Sequence, residues 1–258
     1  MTSLPFFQVD AFADRPFAGN PAAVMPLDAW LDDATLQAIA AENNLAETAF
    51  IVRAGDGFEL RWFTPTVEVA LCGHATLASA HILLGDAPEI RFATRKAGVL
   101  TVRREQDLYA MSLPAWAPAP RPLPEIVAAI GGEPVETLWH DGHYSVIVYR
   151  DEAAVRALAP DFRALRPLGD TLYIATAPGE VADVVSRCFA PGAGIDEDPV
   201  TGSAHAVIAP YWAERLGRAR FTAFQASARG GDLDCELAGD RVILRGRCVT
   251  VIEGRFSL

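Results

Sequence analysis

Apolar and polar positions alternate toward the end of residues 5–12 (PFFQVDAF), and the short apolar run 22–26 (AAVMP) follows a polar Asp14 to Asn20 loop with Gly19, Asn20 and Pro21. The chain is therefore expected to open as a strand pair. Asp32 and Asp33 supply N-cap chemistry for a helix whose apolar positions Leu36, Ile39 and Ala40 follow helical spacing, and Asn43-Asn44 ends it. Strands are expected at 45–52, 58–63, 90–94, 98–103 and 108–113. Between them, His74 to Leu84 reads as a helix closed by Gly85. Its residues Ala75, Leu77, Ala78, Ala80, Ile82, Leu83 and Leu84 lie all round the wheel, so no face is left for water and other elements must wrap it. Five prolines, Pro114, Pro118, Pro120, Pro122 and Pro124, then crowd a stretch expected to be too stiff for helix or sheet.

The second half repeats the order. A short helix from Pro124, a strand at 143–149, a helix opened by Asp151 and strands near 171–176 and 183–189 lead to Ser203–Leu216, a second helix apolar on most sides and closed by Gly217. Residues 219–256 alternate as hairpin strands. Arg61-Trp62-Phe63-Thr64-Pro65 and Arg187-Cys188-Phe189-Ala190-Pro191 share the pattern R-x-F-x-P, 126 residues apart in a chain of 258. Each copy runs through an acidic loop to a glycine and a buried helix. An internal duplication is the expectation, with two domains related by a pseudo-twofold axis.

Hydrophobic residues make up 51% and charged residues 21% of the chain, enough apolar surface for a full core. The net charge of −11 and the scattered basic residues argue against a nucleic-acid partner. Cys72, Cys188, Cys235 and Cys248 show no C-x-x-C spacing, which suits reduced thiols. No apolar run approaches the roughly 20 residues that span a bilayer, and the first twelve residues lack a basic segment followed by an apolar one. A soluble cytoplasmic protein is expected.

A duplicated fold would bring the glycine turns Cys72-Gly73-His74 and Thr201-Gly202-Ser203 to face each other across a cleft. Two helix N-termini there would seat a small carboxylate or a developing enolate. Four side chains could act on it. Glu47 opens an apolar strand, where a carboxylate needs a partner or a task, and capping and catalysis both fit. His74 follows Gly73 at a helix start, which favours a neutral imidazole that can pass protons; a purely structural histidine fits equally. Asp198, within Asp196-Glu197-Asp198, could complement the helix dipole or act in the site. Ser203 is a natural cap and lacks the G-x-S-x-G context of a hydrolase nucleophile. His74 and His81 lie seven apart without H-E-x-x-H or a cysteine pair, so no metal is expected. Nor is there a G-x-G-x-x-G or P-loop pattern, so nucleotide binding is unsupported.

Asp10-Ala11-Phe12, Gly19-Asn20-Pro21-Ala22-Ala23-Val24, Asn44-Leu45-Ala46-Glu47-Thr48, Phe63-Thr64-Pro65, Cys72-Gly73-His74-Ala75-Thr76 and Glu197-Asp198-Pro199-Val200-Thr201-Gly202-Ser203-Ala204 occur in this order. Together they resemble the PhzF-like isomerase family of phenazine biosynthesis. The resemblance implies a diaminopimelate-epimerase-like α/β (α+β) fold: two similar domains, each a curled, mostly antiparallel sheet around a central buried helix, with the site between them. It would place an N-terminal domain at 1–116, closed by a strand at about 249–258, and a second domain at 122–248. It further implies a proton shuttle on a small carboxylic acid without a cofactor, at Glu47, His74, Asp198 and Ser203. Gly73, Gly202, Asn20 and Thr201 would bind the substrate. Racemases of this fold use a thiol in each glycine turn. Here Cys72 faces Thr201, which cannot form a thiolate at neutral pH. A one-thiol reaction at Cys72 and a non-catalytic binding or scaffolding protein are the alternatives, and a homodimer stays open.

Overall fold

The computed structural model describes residues 2–258, which fall into two compact units, residues 2–112 with 245–258, and residues 113–244. In the first unit, β1 (Ser3–Ala11) and β2 (Asn20–Leu27) form the opening antiparallel pair. Helix α1 (Asp33–Asn43) is capped by Asp32, whose carboxylate accepts from Thr35 N–H at 2.9 Å, and ends at Asn44 in the left-handed region. The chain returns as β3 (Glu47–Ala54), parallel to β2. Strands β4 (Gly57–Phe63) and β5 (Glu68–Val69) follow, then helix α2 (Gly73–Leu83), then β6 (Glu89–Thr94), β7 (Val99–Glu105) and β8 (Leu108–Pro114). β4 pairs antiparallel with β3 and β5 and parallel with β6, and β6–β7–β8 continue antiparallel.

The second unit uses the same grammar. Strand β9 (Ala119–Pro120) and helix α3 (Pro124–Ile130) precede β10 (Glu136–His140) and β11 (Tyr144–Val148). Short helices α4 (Glu152–Arg156) and α5 (Phe162–Leu165) cross to β12 (Leu172–Pro178), parallel to β11. Then come β13 (Val184–Ala190), β14 (Ile195–Asp198), helix α6 (Gly202–Leu216), β15 (Arg220–Gln225), β16 (Gly231–Ala238) and β17 (Arg241–Gly246). As in the first unit, β13 pairs antiparallel with β12 and β14 and parallel with β15. The last strand, β18 (Cys248–Ser257), runs antiparallel along the whole of β1.

Each unit buries one helix on all sides. Every residue of α2 from His74 to Ala80 is buried, as are ten of α6. Such a helix must satisfy its own hydroxyls. Thr76 Oγ1 donates to Cys72 O at 2.6 Å and Ser79 Oγ to Ala75 O at 2.7 Å, so neither polar group is stranded in the core. The opposite face of the first sheet is covered by α1, whose Leu36, Ile39 and Ala40 pack with Met25, Phe50, Val52 and Phe63. In the second unit Ile130, Val155 and Leu165 play that part against Ile147, Tyr149, Tyr173 and Phe189.

The shared R-x-F-x-P has a physical meaning. Arg61 and Arg187 each stack over the phenylalanine two residues on, 5.0 Å from the centroids of Phe63 and Phe189. Each also forms a two-pronged pair with a glutamate on the next strand, Arg61 with Glu68 at 2.8 and 2.9 Å, Arg187 with Glu197 at 2.8 and 3.0 Å. From those glutamates onward the halves are in register, because Glu68 and Glu197, Cys72 and Thr201, and His74 and Ser203 all stand 129 apart. The longer spacing in the second half is absorbed by the turn Pro191–Ala193 before Glu197.

Two local expectations change. Asp196–Asp198 is the strand β14 rather than a loop, because Arg187 neutralises Glu197 and Cys188 pairs with Asp198 across the sheet. The proline-rich stretch does enter a sheet, briefly: Ala119 and Pro120 pair with Trp139 and Leu138. No helix among the described residues is long and apolar enough to cross a membrane.

Candidate active site

Parallel pairing of β2 and β3, with Ala22 opposite Glu47, sets the starts of both strands at one end of the first sheet. Asn20 and Glu47 are those starting residues, and α2 begins beside them with Cys72, Gly73 and His74. His74 is the hub. Its Nε2 lies 3.2 Å from Glu47 Oε2, and its Nδ1 lies 3.2 Å from the Asn20 side-chain amide and 3.5 Å from Cys72 Sγ. Asn20 is fully buried, His74 nearly so, and the Glu47 side chain retains 14% exposure. The Glu47–His74 approach has the distance of an ion pair but not the alignment of a well-formed hydrogen bond.

The electrostatics correct one expectation. A helix N-terminus was expected to keep His74 neutral, and burial does push in that direction. Interactions with Cys72 and Glu47 outweigh it and hold the imidazole well above its ordinary range. Cys72 itself is pushed up to about 11, first by burial and then by the charge of Glu47, so at neutral pH it is a thiol. With Cys72 a thiol at neutral pH, the Glu47 carboxylate is the partner that favours the charged form of His74.

In the second unit, Asp198 ends β14 and Thr201, Gly202 and Ser203 begin α6. Neither Cys72 nor Thr201 caps its helix with its own side chain. Thr201 Oγ1 instead donates to Asp198 Oδ2. Gln225, at the end of β15 and fully buried, clamps this turn: its Oε1 accepts from Thr201 N–H at 2.8 Å and its Nε2 donates to Asp198 O at 2.6 Å. Behind the turn, His205 donates from Nδ1 to Thr201 O at 2.8 Å, and its Nε2 faces Ser186 Oγ at 3.2 Å. Ser203 meets the Tyr144 hydroxyl, and Trp116 stacks on the Tyr144 ring at 5.8 Å. Sequence reading missed Gln225, His205 and Tyr144. Gln225→Leu is expected to lower stability by about 1–3 kcal/mol in urea unfolding, because Thr201 N–H and Asp198 C=O lose a buried partner. Unchanged stability would show the clamp to be idle.

The predicted residues thus gather into two sets, Asn20, Glu47, Gly73 and His74 in one unit and Asp198, Thr201, Gly202 and Ser203 in the other. The sequence profile of phenazine biosynthesis-like proteins (PhzC-PhzF) matches residues 9–254. The chain belongs to this family. It is 53% identical over 260 residues to an uncharacterized isomerase of Pseudomonas aeruginosa, with 99% of each chain covered. A PhzF-family phenazine biosynthesis protein of Enterococcus faecalis superposes with a TM-score of 0.95 at 43% identity, with both chains fully covered. The hydroxyproline epimerase of Agrobacterium vitis, at 11% identity and a TM-score of 0.64, covers 99% of this chain and 93% of its own; it shares the fold. PhzF-like chains therefore share their architecture with epimerases, and close relatives of this one bear isomerase names.

Proposed function

We propose that the chain is an isomerase or epimerase that moves a proton, with or without a double bond, on a small carboxylic acid and needs no cofactor. Glu47 carries the proton and His74 assists it. Asp198 and Ser203 serve the same reaction, with Gly73, Gly202, Asn20 and Thr201 as substrate-binding positions. The observation that carries this reading is the 3.2 Å contact of Glu47 Oε2 with His74 Nε2 at the start of α2. A carbon next to a carboxylate is a weak acid, so a base alone is insufficient. The first turn of α2 supplies backbone N–H groups and the positive end of a helix dipole for the charge that develops, without reorganisation. Glu47 reaches solvent through only 14% of its side chain, which limits loss of the carried proton to water.

A panel of small cyclic acids and amino acids in heavy water tests this reading. Deuterium entering a carbon beside or conjugated to the carboxylate of one panel member is the expected result; a panel that exchanges no faster than a no-enzyme control overturns it. The one-thiol alternative has a raised Cys72 against it and threonine at the equivalent position. Cys72→Ala is expected to lower turnover by less than about a hundredfold, that is, by less than about 2.7 kcal/mol of transition-state stabilisation. A larger loss in steady-state assays would restore the thiol to the mechanism.

A further inference from the structure

Three different donor atoms meet at the start of α2: a Glu47 carboxylate oxygen, Cys72 Sγ and a His74 ring nitrogen, all within 4.8 Å of one another. We propose that they form a binding site for one thiophilic divalent cation, zinc or cadmium, with a fourth position open. A tetrahedral zinc with bonds of about 2.0–2.3 Å separates its ligand atoms by about 3.3–3.6 Å. The present separations are 3.2 Å from His74 Nε2 to Glu47 Oε2 and 4.0 Å from Nε2 to Cys72 Sγ. All three pairs lie within 4.8 Å, so shifts of at most about 1 Å close the site.

The donors are also held in place. Glu47 begins a strand paired on both sides, Cys72 is the N-cap of a buried helix, and His74 sits in its first turn. His74 Nδ1 is engaged by the buried Asn20 amide and Nε2 faces Glu47, while Cys72 Sγ lies beside the ring, 3.5 Å from Nδ1 and 4.0 Å from Nε2. A half-turn of that amide presents its oxygen to Nδ1–H, the orienting contact that ligating imidazoles ordinarily have. The duplicated half is an internal comparison. Pairing of Thr48 with Phe63 and of Tyr173 with Phe189 makes Leu172 the counterpart of Glu47. Leu172, Thr201 and Ser203 offer neither sulfur nor nitrogen, so the site belongs to one half only.

On binding, metal–sulfur and metal–nitrogen bonds form while the Cys72 thiol and the His74 Nε2–H each release a proton to solvent; nothing is oxidised or reduced. The cation then covers the atoms assigned to proton transfer, and its inhibitory effect, though not its binding, rests on the function proposed above.

Cadmium chloride titrated into the metal-free chain tests the site through the ultraviolet thiolate-to-cadmium charge-transfer band. One cadmium per chain is expected, displaced by zinc. Cys72→Ser should lose the band and Cys188→Ser should keep it, while Glu47→Gln and His74→Gln bind about 10–100-fold more weakly. A band that survives Cys72→Ser, no band in the wild type at about millimolar cadmium, or wild-type affinity in both Glu47→Gln and His74→Gln overturns the site. Should Cys72→Ser fail to fold, cadmium NMR of the wild type decides, since the proposal requires one sulfur ligand together with nitrogen and oxygen. A bound zinc that leaves isotope exchange untouched supports the site and overturns the roles given to Glu47 and His74.

Discussion

Glu47→Gln is expected to lower turnover by about two to four orders of magnitude while substrate binding changes little. The amide keeps the size of the carboxylate and can still lie against His74 Nε2, but it cannot take a proton. Asn20, Gly73 and the backbone of α2 are untouched, so the groups that would hold the substrate remain. The loss should therefore fall on kcat rather than on KM. Glu47→Asp provides the contrast. It retains the base but withdraws it by one methylene, and a partial recovery of rate would tie the effect to proton transfer. If Glu47→Gln turns over at the wild-type rate, Glu47 is a structural partner of His74, and the proton carrier must be sought at His74 or Asp198.

Acid should loosen the second unit through His205. Burial pushes this imidazole down to about 4, against an ordinary value of 6.5. A folded-state value below the unfolded one means that the unfolded chain takes up a proton first as pH falls. The stability due to the neutral ring is complete above about pH 6.5 and declines toward pH 4. Between about pH 7 and 5 the decline is about 2 kcal/mol, from 1.36 kcal/mol per unit of differential pKa. His74 acts with the opposite sign. Its value is raised, so its contribution is complete at acid pH and is lost as pH rises through the folded-state value. Urea midpoints at the two pH values should separate the two: His205→Gln, which can keep contacts to Thr201 O and Ser186, should flatten the acid side only. An unaltered pH slope in that variant would show that His205 does not control acid stability.

The sequence made the two enclosed helices legible because a wheel with apolar residues all round admits only burial. It also marked the duplication, since R-x-F-x-P encodes a cation stacked on a ring and poised for a glutamate one strand away. Glu47, His74, Asp198 and Ser203 could be singled out from their motifs, but their electrical state could not. His74 is raised by Cys72 and by a carboxylate 27 residues earlier that is folded onto its Nε2, and no local pattern reports the latter contact. Gln225 left a fainter trace. In β15, Phe221, Ala223 and Gln225 share the buried side of the strand, and a polar residue in such a row signals a buried partner. The strand β14 escaped notice because three acidic residues in a row look solvated until Arg187 and Thr201 are seen beside them.

The central claim is that Glu47 and His74 work as a coupled acid–base pair, and NMR titration of the His74 ring tests it without knowledge of the substrate. In the wild type the ring should titrate above the ordinary range for histidine, and Glu47→Gln should bring it down, because burial then acts with no carboxylate against it. A His74 that titrates below 6.5 in the wild type, or one that does not move in Glu47→Gln, would contradict the pairing.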